Sequence, residues 1–206
     1  MGLKLDLLAF WTPKYFLSRE LDKVKYSTIS ALRELAEAYV PSEKLGSTRE
    51  KEPTGSLESR RRMMAKEHEA LVNTLIAAIG RDKTVTVGRK VMFEVGKKLG
   101  EDIRDRLGMG KNLQDLVKAA KILYLVLGIN FCVEWKNQTN AVLVVNRCTL
   151  ANEYSDTTCL VLSATDEGVV KGLNENVQMQ FEDRIPKGCS TCTACVKLKP
   201  KGGQLN

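Results

Sequence analysis

Histidine is nearly absent from this chain of 206 residues, since it occurs only at His68. A Ser-His-Asp triad and an imidazole-rich zinc site both require histidine among other polar residues. His68 lies on an otherwise apolar helical stripe, so we interpret it as a core or boundary residue. The sequence also contains no glycine-rich phosphate-binding loop. Triad hydrolysis and P-loop nucleotide binding are therefore excluded.

Long hydrophobic runs are missing as well. Residues 3–11 are too few to span a bilayer, and Pro13 follows soon after. No charged n-region, apolar h-region and cleavage site opens the chain, so we expect a cytoplasmic protein without a membrane partner. Thiols stay reduced in the cytoplasm. The six cysteines therefore indicate metal binding or reactivity rather than disulfides.

The net charge of +7 is unevenly distributed. Residues 1–128 carry 24 basic and 17 acidic side chains, whereas residues 129–206 carry 8 of each. These charges alternate with apolar residues at helical spacing, as on solvated helix faces. We interpret Arg60-Arg61-Arg62 in the same way, as a solvated charge run, and do not expect a nucleic-acid partner. Hydrophobic residues at 43% indicate an ordinary globular fold.

Helical spacing of apolar residues dominates the first two thirds of the chain. It predicts a helix over residues 21–39 that Pro41 ends, a loop over 42–59, and helices over 59–79, 85–107 and 113–127. The glycines at 108, 110 and 128 stand just past predicted helix ends.

From Gly128 onward the pattern is typical of strands. It predicts a hairpin over 129–135 and 141–146, a helix over 157–173, and strands over 177–181 and 194–198. The fold class is therefore α+β, with N-terminal helices packed on a C-terminal antiparallel sheet in β-β-α-β-β order. We divide the chain into an extension over 1–57 and a metal- and ligand-binding domain over 58–206.

Five cysteines are predicted to meet at one end of this sheet: Cys148, Cys159, Cys189, Cys192 and Cys195. The last three have the C-x2-C-x2-C spacing that supplies three thiolates to an iron–sulfur cluster, such as 4Fe–4S, with a distant cysteine as the fourth. A zinc ion, which takes four N or S ligands, is the other candidate. Some of the five could instead be core or loop thiols. We expect Cys132, in the middle of a strand, to be buried and inert.

Two acids follow Cys159 on the same predicted helix. Asp166 is seven residues further on, so it shares a face with Cys159 about 10 Å away. Asp166 and its neighbour Glu167 are candidates for an outer-shell or proton-transfer role. A solvated position on the helix surface is the alternative.

The chain resembles the vinyl-4-reductase domain superfamily over about residues 60–199. The similarity rests on a hairpin ending in Asn146-Arg147-Cys148, a helix bearing Cys159, and a Gly-x-x-x-Cys turn from Gly188 to Cys192. Within the superfamily, the chain is most similar to the L-2-amino-thiazoline-4-carboxylic acid hydrolase-like branch. The predicted first helix lies outside the resemblance.

This resemblance implies a small-molecule-binding domain related to haem-based nitric-oxide sensors, often a homodimer, with a cysteine-bound metal beside the ligand pocket. It places family cysteines at Cys148, Cys159 and Cys192. Cys189 and Cys195 depart from the family pattern and favour an iron–sulfur cluster over zinc. A role in ligand sensing or delivery follows, with a pocket walled by the third and fourth helices.

Two other functions stay open. A hydrolase of the thiazoline type would act on a cyclic C–N bond through metal-activated water or a thiolate. An interaction protein would use zinc only to stabilise the fold and pair through Phe10, Trp11, Tyr15 and Phe16.

Overall fold

The computed structural model describes residues 12–41, 45, 55–107 and 112–199. Helices α1 to α4 come first, followed by two strands, helix α5 and two more strands. Their bounds are α1 Lys14–Glu37, α2 Leu57–Ile79, α3 Arg81–Leu107, α4 Leu113–Leu127, β1 Ile129–Trp135, β2 Asn140–Cys148, α5 Asp156–Leu173, β3 Val177–Asp183 and β4 Cys192–Leu198. The predicted α+β class and order of elements are confirmed.

The starts of α1, α2 and α3 differ from the prediction, which rested on apolar spacing. α1 begins directly after Pro13, seven residues earlier than the periodicity indicated. The side chain of Ser56 accepts a hydrogen bond from the backbone N–H of Ser59 and caps α2. α3 starts directly after Gly80, whose φ of +78° turns the chain sharply.

The four strands form one antiparallel sheet in the order β1-β2-β4-β3. Successive side chains of a strand point to opposite faces. In β4, Cys192, Ala194 and Val196 are buried on the face that packs against the helices. Thr193 and Cys195 consequently lie on the other face, which we call the outer face.

Helices α3 and α5 pack backbone against backbone. A Cβ atom added to Gly96 of α3 would lie 2.0 Å from the carbonyl oxygen of Thr165, and one added to Gly168 of α5 would lie 2.1 Å from that of Phe93. Only glycine permits this approach. The contact sets the position of the middle of α5 relative to the other helices.

Two hydrophobic clusters form the core. One lies between the sheet and helices α4 and α5, and the other joins α1, α2, α3 and α5. α1 contributes five buried apolar residues to the second cluster: Leu17, Leu21, Ile29, Leu32 and Ala36. The helix that lies outside the resemblance is therefore integral to the core, while the proposed domain division stays a prediction.

Some predictions lie outside the described residues. These are the segment 3–11 with Phe10 and Trp11, most of the 42–59 loop, and the turn at Gly108 and Gly110. Of the other two aromatic residues, Tyr15 is exposed and Phe16 packs partly against the core.

Candidate functional site

Three of the five predicted cysteines line one cavity between the sheet and the helices. Cys148 ends β2, Cys159 lies in the first turns of α5, and Cys192 begins β4. The cavity opens to solvent, and most of its lining is apolar. We call it the thiol cavity.

Cys189 and Cys195 do not line the thiol cavity. The Sγ atom of Cys195 donates to Oε1 of Glu182 at 3.0 Å on the outer face. The Sγ atom of Cys189 lies 3.9 Å from Oδ1 of Asp183. A spacing of three residues along a strand places Cys192 and Cys195 on opposite faces, so the C-x2-C-x2-C trio does not converge.

The prediction that Cys132 is buried is wrong. Cys132 is exposed, because Phe131 and Val133 occupy the inner face of β1 and the residue between them must point outward. The Nδ2 atom of Asn146 on β2 lies 4.0 Å from its sulfur.

The three thiols of the cavity are strongly desolvated. Burial raises the pKa of Cys148 to about 11 and that of Cys159 to about 12, and negative charge on Cys192 would add to both shifts. Burial also raises the pKa of Cys192. All three are therefore neutral thiols near pH 7.

These thiols do not form a ready metal site in this arrangement. In the part of the chain that the structure describes, no three His, Cys, Asp or Glu side chains are positioned to hold one metal ion. The iron–sulfur cluster and the zinc ion stay predictions, and no chemistry below depends on them.

Arg184 contributes a buried positive charge to the thiol cavity. It is 8% exposed, its Nε donates to Oγ of Ser163 at 3.3 Å, and its guanidinium carbon lies 5.6 Å from the centre of the Phe181 ring. It lines the cavity together with the thiols, and its charge acts to lower the pKa of Cys159 and Cys192. Among the described residues, none offers Arg184 a carboxylate at ion-pair distance.

Asp166 lies where the thiol cavity meets a second cavity, described below. Asp166 is partly buried, and burial raises the pKa of its carboxyl to about 7, helped by the charge of Glu167. No described residue donates a hydrogen bond to this carboxyl group. The hydroxyl of the adjacent Thr165 is likewise buried without a partner in the described chain. Asp166 is thus not a solvated surface residue.

Glu167 points elsewhere and pairs with Arg89 of α3, with Nη2 and Oε2 2.7 Å apart. It therefore helps hold α5 against α3.

A buried hydrogen-bond chain crosses the cavity wall. The hydroxyl of Thr28 donates to the carbonyl of Val24 at 2.8 Å, so it must accept from Nε2 of His68, also at 2.8 Å. Nδ1 of His68 then accepts from the Tyr154 hydroxyl at 2.7 Å. Burial, with a smaller effect of Lys25, lowers the pKa of His68 to about 3. The interpretation of His68 as a core residue is confirmed, although it also lines the thiol cavity.

Two of the three arginines at the start of α2 make specific contacts, whereas Arg62 is largely exposed, as expected of a solvated charge run. Arg60 pairs with Asp22 of α1. Arg61 donates to the carbonyls of Leu125 and Val126 at the end of α4, where a cation also suits the helix dipole. These contacts join α2 to its neighbours.

The model of one protein family, described as L-2-amino-thiazoline-4-carboxylic acid hydrolase, matches residues 60–196. The chain belongs to this family. Its match covers all five candidate cysteines, Asp166 and Arg184. The family and the fold support a small-molecule-binding domain. No curated protein matched the sequence.

Solved structures similar to this family member confirm the haem-NO-binding-like fold. One is a trafficking protein particle complex subunit 3 from Naegleria fowleri covalently bound to palmitic acid, with a TM-score of 0.54 and 16% identity over 69% of this chain and 97% of that chain. Another is an Fe(II) unliganded H-NOX protein mutant from K. algicida, with a TM-score of 0.50 and 14% identity over 87% of this chain and 97% of that one. None of the described helices has the length and hydropathy to cross a bilayer.

Sequence reasoning missed Arg184, Ser163 and Tyr154. In β3, the inward residues are Val177, Met179 and Phe181, and a shift of register follows Phe181. This irregularity breaks the alternation that would have shown which way Arg184 points, so no pattern in the sequence marked it.

Proposed function

We propose that the thiol cavity binds a small organic molecule that carries a carboxylate, and that Arg184 is the partner of that carboxylate. Ligand sensing or delivery is the corresponding role. The observation that carries the proposal is a buried guanidinium that lines the same cavity as three neutral thiols and has no carboxylate partner among the described residues.

A buried, unpaired cation is costly to a folded protein. The Nε atom of Arg184 donates to the hydroxyl of Ser163, and its guanidinium group lies over the face of the Phe181 ring. The terminal guanidinium nitrogens are the donors suited to a bidentate pair with a carboxylate. A ligand carboxylate would therefore offset the cost of burying Arg184.

Asp166, which also lines the thiol cavity, supports a second requirement on the ligand. Its unpartnered carboxyl group can accept a hydrogen bond from, or pair with, an amino or amidine group. A 2-amino-thiazoline-4-carboxylate, the compound in the family description, carries both a carboxylate and an amino-substituted ring.

Calorimetric titration with this compound, and with 2-amino-thiazoline that lacks the carboxylate, tests the proposal. We expect Arg184→Gln to weaken binding of the carboxylate about 10- to 100-fold, as for loss of a charged hydrogen-bond pair, and to leave the weaker binding of 2-amino-thiazoline unchanged. Lys197→Gln, on the outer face, is the matched control and should change neither. Equal affinity in the wild type and Arg184→Gln would refute the proposal.

Hydrolysis of the ring is the second candidate function, favoured by the position and pKa of Asp166. Water would add across the ring C=N bond, its proton passing through the Asp166 carboxylate to the ring nitrogen. The ring C–N bond would then break as the added hydroxyl gives its proton to the departing nitrogen, leaving a carbonyl on carbon and a free amine. A pKa near 7 suits a group that accepts and returns a proton.

Steady turnover followed by ring absorbance tests this reaction. We expect Asp166→Asn to lower kcat at least 100-fold while binding persists. Cys159→Ala tests whether the Cys159 thiol attacks the ring, since an unchanged kcat would exclude that attack. Binding without turnover in the wild type would remove the hydrolase and leave the binding function.

A metal centre is a separate proposal. Cys148, Cys159 and Cys192 share the cavity and would be the ligands, and the bound metal would supply Lewis-acid or redox chemistry. The other predicted ligands, Cys189 and Cys195, lie outside the cavity. Oxygen-free purification with iron, sulfide and zinc analysis tests it; no metal, with all six thiols titratable after unfolding, would exclude it.

We also propose that the protein is a homodimer and that it is located in the cytoplasm. A homodimer is testable by light scattering at several protein concentrations. The free thiols require a reducing compartment, which supports the cytoplasm.

A further inference from the structure

A second cavity lies beside the thiol cavity on the same face of the sheet. It encloses about 1000 Å³, including the part that opens to solvent, and α3 and α4 form much of its wall as predicted. We call it the apolar cavity, because aliphatic side chains make up most of its lining. They include Leu99, Ile103, Leu116, Val117, Ala120, Leu143, Val169, Val170, Leu173, Met179 and Val196.

The two cavities meet end to end. Every strand contributes to both: Ile129, Val145, Phe181 and Cys192 line the thiol cavity, and Val133, Leu143, Met179 and Val196 line the apolar one. Five residues line both and form a waist between them: Val24, Tyr124, Leu127, Thr165 and Asp166. The sheet and α5 thus cover two adjacent cavities, one polar and one aliphatic, that share these five residues.

The apolar cavity is long. Seven α4 residues line it at helical spacing from Leu113 to Leu127. Fourteen residues of helix rise about 21 Å. This stripe packs partly against the sheet and α5, since Leu113, Leu116 and Tyr124 are buried in the core, and the same residues line the apolar cavity.

We propose that the apolar cavity holds an aliphatic chain of the ligand whose carboxylate binds Arg184 in the thiol cavity. The ligand class is a medium- or long-chain carboxylate. This inference rests on the proposed binding function and specifies the ligand further. Polar groups are disfavoured inside the apolar cavity, because its lining would leave their donors and acceptors unpaired.

The charges at the opening determine which way the ligand lies. Arg106 pairs with both carboxylate oxygens of Glu20 at 3.1 Å and with Asp102 at 2.8 Å, and Lys23 lies 3.6 Å from Glu20. These cations already have carboxylate partners, whereas Arg184 has none among the described residues. The carboxylate head therefore belongs at the thiol end, and the chain extends toward α3 and the N-terminal half of α4.

Titration with butanoate, octanoate and dodecanoate, each below its micelle concentration, tests the inference. Each buried methylene should tighten binding about two- to fourfold. Dodecanol should bind at least tenfold more weakly than dodecanoate, because it lacks the charge that pairs with Arg184.

Variants that fill the apolar cavity provide the decisive comparison. Ala120→Phe and Val117→Phe should each weaken dodecanoate binding at least tenfold and leave butanoate binding within about twofold. Lys121→Phe, on the exposed side of the same helix, is the control and should change neither. Circular dichroism confirms that each variant is folded, and two filling variants guard against the misfolding of one.

The outcomes separate this inference from the proposed function. If butanoate binds in an Arg184-dependent way but longer chains bind no tighter, the aliphatic chain site is wrong and the carboxylate site stands. If dodecanoate binds equally to the wild type and to both folded filling variants, the chain site is also wrong. If neither short nor long carboxylates respond to Arg184→Gln, the proposed function itself fails.

Discussion

The two faces of the sheet give residues of the same type opposite properties. Cys192 and Cys195 are three residues apart on β4, yet Cys192 is enclosed beside Arg184 and Cys195 contacts Glu182 on the outer face. Asp166 faces the enclosed side, whereas Asp183 binds Thr193 at the edge of the exposed one. Burial therefore decides whether a thiol or carboxyl here is a neutral group in a ligand site or an ordinary surface group.

The largest expected difference between the faces is in thiol reactivity. The thiolate is the reactive form, and the pKa of Cys159 is about 12 against an ordinary value near 8.5. At pH 8 we expect Cys159 to be alkylated by iodoacetamide roughly 1000-fold more slowly than the exposed Cys132, and Cys148 more slowly by roughly 100-fold. Peptide mass spectrometry at successive times measures each rate.

Unfolding provides the control for this comparison. In denaturant all six thiols should react at similar rates. Native rates for Cys159 and Cys132 within tenfold of each other would contradict the enclosed thiol cavity.

The next largest difference concerns the carboxyl groups. The pKa of Asp166 is raised to about 7 in the folded protein, so the folded state holds its proton more tightly than the unfolded state does. Stability is therefore lost as the pH rises from about 4 to 7. Asp166→Asn removes this loss, so relative to the wild type the variant should gain roughly 2 to 3 kcal/mol in unfolding free energy between pH 4.5 and pH 8.

Urea unfolding at the two pH values measures this gain. His68 titrates in the opposite sense, because its pKa is lowered to about 3, but it does so in both proteins and cancels in the difference. Asp183→Asn, at the exposed edge, is the control and should show a gain below about 0.5 kcal/mol. A similar gain in both variants would mean that Asp166 is not enclosed.

The smallest expected difference comes from removing single sulfurs. The Sγ atom of Cys192 is buried and accepts the backbone N–H of Ile185 at 3.3 Å. Cys192→Ala should therefore lower the unfolding free energy by about 1 to 2 kcal/mol, and Cys195→Ala by less than about 0.5 kcal/mol. Denaturant midpoints compare the two, and equal losses would argue against the assigned faces of β4.

The order of the elements was predictable because it depends on local signals. α4 and β1 have the predicted bounds, since an asparagine cap, Gly128 and strict alternation mark their ends. β4 begins two residues earlier than predicted. Its first two residues, Cys192 and Thr193, have small side chains that are also common in turns. They form part of the strand because they pair with β2.

The candidate site was predictable only in part. The family resemblance pointed to Cys148, Cys159 and Cys192, and these three line the cavity. The C-x2-C-x2-C spacing alone suggested a different trio, because spacing along the chain does not reveal which side of a sheet a residue faces. Arg184 carried no sequence signal, since its burial depends on the irregular end of β3.

The sequence by itself determined the four helices, the β-β-α-β-β order and the family, because helix caps, apolar spacing and turn residues act over a few neighbouring positions. Only the tertiary structure decided which cysteines share a cavity, that Asp166 is enclosed, and that a buried arginine lines the same cavity as the thiols. Those properties depend on strand register and on the close packing of α3 against α5, which bring together residues far apart in the chain and remove them from water.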